Sequence, residues 1–264
     1  LTKLKGTYVD ALPQLISAET GRLHTNLNQT GAATGRLSSS NPNLQNIPIR
    51  TELGREIRAA FVPREGWKLI VADYSQIELR LLAHMSGDPV LVEAFRNGED
   101  IHTRTAAEVF GVAPLMVTPE LRRNAKAVNF GIIYGLSAFG LSAQLGIPRY
   151  EAERYIQGYF ERYRGVKAFI ERTIAEVRKS GISRTLFGRL RPIPDINSRN
   201  PNARGFAERT AVNTPLQGTA ADLIKLAMIK IDSALGEGGY RTEMLLQVHD
   251  ELLFEAPPDE VDAA

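Results

Sequence analysis

Apolar and polar positions change rhythm several times along the chain. Residues 1–50 are polar and turn-rich, and TGRLHTNLNQTGAATGRLSSSNPNLQNIPIR holds Gly, Asn, Ser and Pro at a density that forbids a long helix. Short strands and ordered loops are predicted there. The apolar run Leu69 to Ala72 then reads as a buried strand with Asp73 at its carboxyl end, and the pattern from Gln76 onward reads as a helix. From about 84 to 180 the period is helical, with Asp88-Pro89, Thr118-Pro119 and Pro148 marking helix starts by placing proline in a first turn. Residues 183 to 210 read as a basic loop, and a helix is predicted near 206 to 235, broken by Gly236, Gly238 and Gly239. TEMLLQVHDELLFEAP reads as two short strands meeting at His249-Asp250, a hairpin. There is no internal repeat.

The uncharged stretch between Lys126 and Arg149 has the length of a membrane span. Gly131, Gly135, Gly140 and Gly146, with Asn129 and Gln144, make it too polar and too broken for an isolated helix in hydrocarbon. At 264 residues with 43% hydrophobic and 23% charged, the chain has the composition of a folded globule. The absence of Cys removes disulfides, thiol nucleophiles and iron-sulfur ligation and suits a reducing cytosol. A formal charge of +2 does not announce a nucleic-acid binder, so distribution has to decide. The stretch 183 to 210 sets Arg184, Arg189, Arg191, Arg199, Arg204 and Arg209 against two acids. With no Met at the start and an acidic run at the end, the sequence reads as a piece of a longer protein.

Two constellations carry chemistry. On the helix opening at Thr118-Pro119, Arg122, Lys126, Phe130 and Tyr134 recur every four residues and form one stripe about 18 Å long. Cations in a first turn are disfavoured by the macrodipole, and a docked polyanion would reverse that penalty. The aromatics one turn on could stack on a base or sugar, and Gly131 and Gly135 would let a ligand approach the backbone. The second constellation is a pair of acids. Asp73 and Asp250 end strands at opposite ends of the sequence and could converge across a sheet, where two carboxylates hold divalent metal for displacement at phosphorus. Phosphate loops of the Walker type and H-E-x-x-H are absent.

These residues resemble a known family. DYSQIELR at 73 to 80, RRNAKAVNFGIIYG at 122 to 135 and QVHDE at 247 to 251 are similar, in order and spacing, to motifs A, B and C of the family A DNA polymerases. TGRLSSSNPNLQNIP at 34 to 48, DIHTRTA at 100 to 106 and NTPLQGTAAD at 213 to 222 match as well. The resemblance implies an α+β right-hand fold with an antiparallel palm sheet and a helical fingers subdomain, the thumb being absent. Palm would comprise 1–82 and 206–264, and fingers 83–205 with the motif B helix at about 119–134.

It also implies roles. Asp73 and Asp250 would bind two Mg²⁺ ions, Mn²⁺ serving as a substitute, with the Tyr74 carbonyl as a further ligand. Lys126 and Arg122 would neutralise the triphosphate, His102 would touch the same phosphates, and Gln76 would join the nucleotide site. Phe130 would pack on the incoming sugar, and as Phe rather than Tyr it resembles members that reject dideoxynucleotides. Tyr134 would hold the templating position closed, and Glu78 would fill the space of a 2′-hydroxyl. Arg36, Asn213, Gln217 and His249 would contact primer and template, while Glu251 would be supportive. The implied activity is template-directed DNA synthesis on a primed template from deoxynucleoside triphosphates, by a monomer in the bacterial cytoplasm near the nucleoid, with no membrane. The isolated piece would be weakly active or inactive. The rival readings are a single-subunit RNA polymerase, against which Glu78 speaks, and a non-catalytic nucleic-acid-binding fragment.

Overall fold

The computed structural model describes residues 4–49 and 51–264. The chain forms two compact units, Leu1–Ser75 with Ala221–Ala264, and Gln76–Ala220. The first unit begins as its turn-rich sequence requires. Short turns at Lys5–Asp10 and Leu12–Leu15 lead to two three-residue strands, β1 (Asn26–Asn28) and β2 (Ser38–Ser40), which pair antiparallel. A short helix, α1 (Glu52–Ala59), starts at Thr51, whose side chain accepts from the Gly54 N–H at 3.1 Å, an N-cap that satisfies one of the orphan donors of the first turn. Strand β3 (Lys68–Asp73) then carries the apolar run. The predicted strand is present, but the predicted burial is not: Leu69 and Val71 are exposed. β3 is an edge strand bonded on one side only, so its β-branched and aliphatic residues favour extended backbone without being enclosed.

The second unit is helical where the 3.6 period ran. In order it contains α2 (Ile77–Ser86), α3 (Pro89–Arg96), α4 (Ile101–Phe110), α5 (Pro119–Ile133), α6 (Ala138–Leu145), α7 (Arg149–Arg162) and α8 (Arg164–Ser180). Asp88, Asp100, Thr118 and Ser137 each accept a backbone N–H as N-caps, and Pro89 and Pro119 open their helices at the position where a missing N–H costs nothing. The core is built from Leu79, Leu82, Leu91, Ile101, Val128, Ile133, Leu141, Tyr159 and Tyr163, all at most 1% exposed. Burying each such aliphatic chain contributes about 1.5–3 kcal/mol before entropy. On α5 the buried residues Ala125, Val128, Asn129, Ile132 and Ile133 follow one helical face, which leaves Arg122 and Lys126 exposed on another.

The basic stretch is not one loop. β4 (Ile182–Arg184) and β5 (Leu190–Pro192) form an antiparallel hairpin, closed by Gly188 at φ +86° and by the Thr185 N–H donating to the Arg189 carbonyl. The following helix, α9 (Pro201–Glu237), starts five residues before the predicted 206, because Pro201 suits a first turn and Asn200 accepts from the Asn202 N–H. Its length includes Pro215, near which the Thr214 hydroxyl donates to the Thr210 carbonyl at 2.7 Å.

The chain ends in β6 (Glu243–Val248) and β7 (Glu251–Ala256), the predicted hairpin. With β3 they make a three-stranded antiparallel sheet in the order β3-β7-β6, its register set by Asp73 opposite Glu251 and Lys68 opposite Ala256. A bulge between Met244 and Leu246 interrupts the β6 ladder. Glu255, fully buried on β7, takes hydrogen bonds from the Arg64 N–H at 3.1 Å and from the Arg22 guanidinium at 3.0 Å. A buried carboxylate without such donors would be costly, and with them it ties the turn-rich segment to the sheet.

Candidate functional site

Within the first unit the sheet brings the two acids together. Asp73 is the last residue of β3, and one residue on, the Tyr74 N–H donates to the Asp250 carbonyl at 3.0 Å, so both acids lie at the same end of paired strands. Burial and the charge of Asp250 both raise the pKa of Asp73. His249, at the hairpin turn, adopts φ +56°, a conformation that L residues rarely take and that strains the backbone beside Asp250. The Gln247 side chain donates to the His249 carbonyl at 2.9 Å, and the Gln45 side chain donates to the Gln247 carbonyl at 3.0 Å. Neither glutamine stands out in the sequence, since a lone polar residue in a turn or on a strand gives no signal of its own. Glu251 lies 3.7 Å from the Arg58 guanidinium, directed to an ion pair, and Arg36 is half-buried in this unit with partners of its own.

Among the described residues no group of three or more His, Cys, Asp or Glu stands ready for a metal. Besides Glu251, which Arg58 engages, the donors at the strand ends are the carboxylates of Asp73 and Asp250 and backbone carbonyls, all hard oxygens of the kind Mg²⁺ takes. The repulsion that raises Asp73 is what a cation would relieve, so the residues fit the ion the sequence implies.

The second unit gathers the other set. Arg122, Lys126, Phe130 and Tyr134 share the predicted stripe, with Tyr134 as the C-cap of α5. The rings of Phe130 and Tyr134 stack at 6.3 Å, and the Lys126 ammonium lies 6.0 Å from the Phe130 ring. Arg122 is already paired, its Nε donating to Asp100 Oδ2 at 2.5 Å. Burial would raise the Asp100 pKa, but hydrogen bonds from Arg122, Thr103 and the His102 N–H, with the Arg122 charge, bring it down to about 2. Asp100 was missed in the sequence because it reads as an ordinary N-cap, which it also is. Lys126, by contrast, has no carboxylate partner among the described residues.

The Tyr134 hydroxyl donates to Glu78 Oε2 at 2.9 Å, joining two predicted residues that are 56 apart in sequence. Glu78 is buried, and Gln76 precedes it as the residue before α2 at φ +58°. His102 is buried at the start of α4, 5.8 Å from the Phe130 ring. Burial chiefly, aided by the charges of Arg122 and Lys126 against that of Asp100, lowers its pKa to about 4, so it is neutral at pH 7. The two glycines do not open the backbone to a ligand as expected. A Cβ on Gly131 would meet the Leu136 side chain at 3.4 Å, and one on Gly135, at φ +63°, would meet the Arg209 stem at 2.6 Å. The chain's own packing uses both spaces. On α9, Asn213 and Gln217 are four residues apart, and Arg209 extends the same line one turn earlier, a signal available from the i, i+4 spacing. Asn213 Oδ1 is buried without a hydrogen-bond partner among the described residues.

The family model for DNA polymerase family A matches residues 1–264, and the chain belongs to that family. It is 58% identical over 262 residues, 99% of this chain, to the thermostable DNA polymerase I of Thermus thermophilus, and 57% identical over its whole length to DNA polymerase I of Chloroflexus aurantiacus. It spans 31% and 28% of those two proteins, less than a third of each. It is also similar to the solved POL domain of Pol1 from M. smegmatis in complex with DNA primer-template and dNTP, with a TM-score of 0.93 and 52% identity over 98% of this chain and 46% of that one. The mixed helical and antiparallel architecture is therefore that of a polymerase domain. Among the described residues no helix is long and apolar enough to cross a membrane.

Proposed function

We propose that the chain is the part of a family A DNA polymerase that adds deoxynucleotides to a primer 3′-hydroxyl as a template directs, releasing pyrophosphate. The observation that carries this reading is the convergence of Asp73 and Asp250 on one end of paired strands, in the motifs that the family match spans. In this reading 1–82 and 206–264 act as palm, 83–205 as fingers, and the protein works as a monomer on primed DNA and deoxynucleoside triphosphates. Two Mg²⁺ ions held by Asp73, Asp250 and the Tyr74 carbonyl, or Mn²⁺ in their place, would activate the 3′-hydroxyl and neutralise charge on the triphosphate.

The remaining work belongs to side chains. Lys126 and Arg122 bind phosphate oxygens, and Lys126 gives a proton to the departing pyrophosphate. Phe130 and Gln76 border the nucleotide, and Glu78, held by the Tyr134 hydroxyl, fills the volume beside C2′ of the sugar. Arg36, Asn213, Gln217 and His249 contact primer and template. Glu251, engaged by Arg58, supports the hairpin.

The test is single-nucleotide extension of a primed template with Mg²⁺, by the chain alone and by the chain joined to the remainder of a related polymerase. Extension by either form supports the reading. If neither extends while both fold and bind nucleotide, the reading is wrong. Two variants probe its parts. Glu78→Ala is expected to raise ribonucleotide use relative to deoxyribonucleotide by about 10²-fold, since a bulky side chain rejects an added hydroxyl that an open pocket tolerates. Unchanged sugar selectivity would remove Glu78 from that role. Asp100→Asn keeps an N-cap but deletes the charge that Arg122 now satisfies, so the KM for nucleotide is expected to fall about 2- to 5-fold. A rise in KM would mean that Asp100 orients Arg122 rather than competing for it.

A further inference from the structure

A buried chain of hydrogen bonds runs through the second unit and ends on His102. The Tyr163 hydroxyl lies 3.2 Å from Thr105 Oγ1, Thr105 Oγ1 donates to Asn129 Oδ1 at 3.1 Å, and Asn129 Nδ2 lies 3.1 Å from His102 Nδ1. All four side chains are buried, at 3% exposure or less. Each hydroxyl has one proton to give. Thr105 spends its own on Asn129, so the proton between Thr105 and Tyr163 comes from tyrosine. Burial pushes the Tyr163 pKa up to about 12, so that proton is always present. Reversing the chain would turn the Asn129 amide, make Thr105 the donor to Tyr163, and leave the buried tyrosine proton without an acceptor among the described residues. Buried donors without acceptors are rare. The direction is therefore fixed at the tyrosine, and it delivers an N–H to His102 Nδ1. That nitrogen must be an acceptor. In a histidine that is neutral at pH 7, the single ring proton then sits on Nε2. Nε2 is not among the fully buried unpartnered polar atoms of the described residues.

We infer that Tyr163, Thr105 and Asn129 form a one-way relay that holds His102 as the Nε2–H tautomer, so that its outer edge offers a donor, and never an acceptor, to a triphosphate oxygen. Tyr163, Thr105 and Asn129 are positioning residues acting through His102. The relay stands on these contacts and on a neutral His102, and only the triphosphate clause rests on the proposed polymerase function.

The experiment uses the 264-residue chain labelled with ¹⁵N-histidine, long-range ¹H–¹⁵N spectra for the tautomer, and primer extension with dTTP and Mg²⁺ by the chain joined to the remainder of a related polymerase. The wild type is expected to show Nε2–H. Asn129→Asp keeps the shape but replaces the amide donor by a carboxylate oxygen that can only accept, and is expected to bring an N–H onto Nδ1. His102→Ala is expected to raise the KM for dTTP at least about 2-fold, by removing the donor to the triphosphate. A wild-type Nδ1–H signal, or an Asn129→Asp spectrum with no proton on Nδ1, overturns the relay. The expected spectra with KM unchanged in His102→Ala overturn the triphosphate clause. Loss of the polymerase reading would appear separately, as a wild type whose extension does not depend on Asp73, while the spectra still decide the relay.

Discussion

Asp73→Asn is expected to cut single-nucleotide extension by roughly 10³-fold or more while making the metal-free protein more heat-stable. The loss follows from the site. Asp73 and Asp250 are the two strand-end carboxylates without a cation partner among the described residues, Glu251 being paired with Arg58, and a neutral amide in place of one halves the unpaired anionic charge available to a divalent ion. The gain follows from the sign of the pKa shift. Asp73 is harder to ionise in the fold than in the unfolded chain, first because of burial and then because of Asp250. Such a group lowers stability as pH rises from its unfolded pKa through its higher folded one, and the deficit persists at neutral pH. Asparagine carries no charge and avoids the deficit. The difference in Tm between variant and wild type should thus be positive at pH 7 without metal, shrink toward zero as pH falls below the ordinary carboxylate range, and shrink again when Mg²⁺ is added. Thermal melts at three pH values, with and without Mg²⁺, check this beside the extension assay. A variant that is inactive but no more stable than wild type would mean that the acids do not repel each other in the fold, and the case for a shared cation would fall with it. Opposed effects on activity and stability are the expected mark of a site where charge is held for use and not for folding.

Much of this was legible in the sequence for a local reason. Pro89 and Pro119, each with a capping residue before it, fixed helix starts without any tertiary information. The four-residue spacing of Arg122, Lys126, Phe130 and Tyr134 is likewise a property of one helix. What was not legible depends on residues far apart. The exposure of β3 follows from its place at the sheet edge, which no periodicity encodes. The bond between Tyr134 and Glu78 spans 56 residues, and the pairing of Asp100 with Arg122 spans 22. Gly131 and Gly135 misled because a glycine reads the same whether it makes room for a ligand or for a neighbouring Leu136 or Arg209. The basic stretch misled in another way. Its arginines are spread over a hairpin and the first turns of a helix, and charge density alone carries no period to separate them.

Lys126→Ala is expected to lower kcat/KM for nucleotide addition by about 10²- to 10³-fold, the usual consequence of removing a preorganised positive group from a developing negative charge. On the stripe, Arg122 shares its charge with Asp100, whereas Lys126 has no carboxylate partner among the described residues and is exposed, so its charge is fully available to an outside anion. The fold should not suffer, because alanine is the best helix former and the attraction between the ammonium and the Phe130 ring, 6.0 Å apart, is weak at an exposed position. Lys126→Arg separates two contributions. Guanidinium keeps the positive charge but does not give up a proton near neutral pH, so charge neutralisation alone predicts near-normal KM and kcat, while proton donation to pyrophosphate predicts normal KM with a kcat lowered at least about 10-fold. Full kcat in the arginine variant would dismiss the proton-donor role and leave lysine as a charge. Near-normal activity in the alanine variant would dismiss the larger idea, that cations placed against the helix dipole on α5 are there because a polyanion binds beside them.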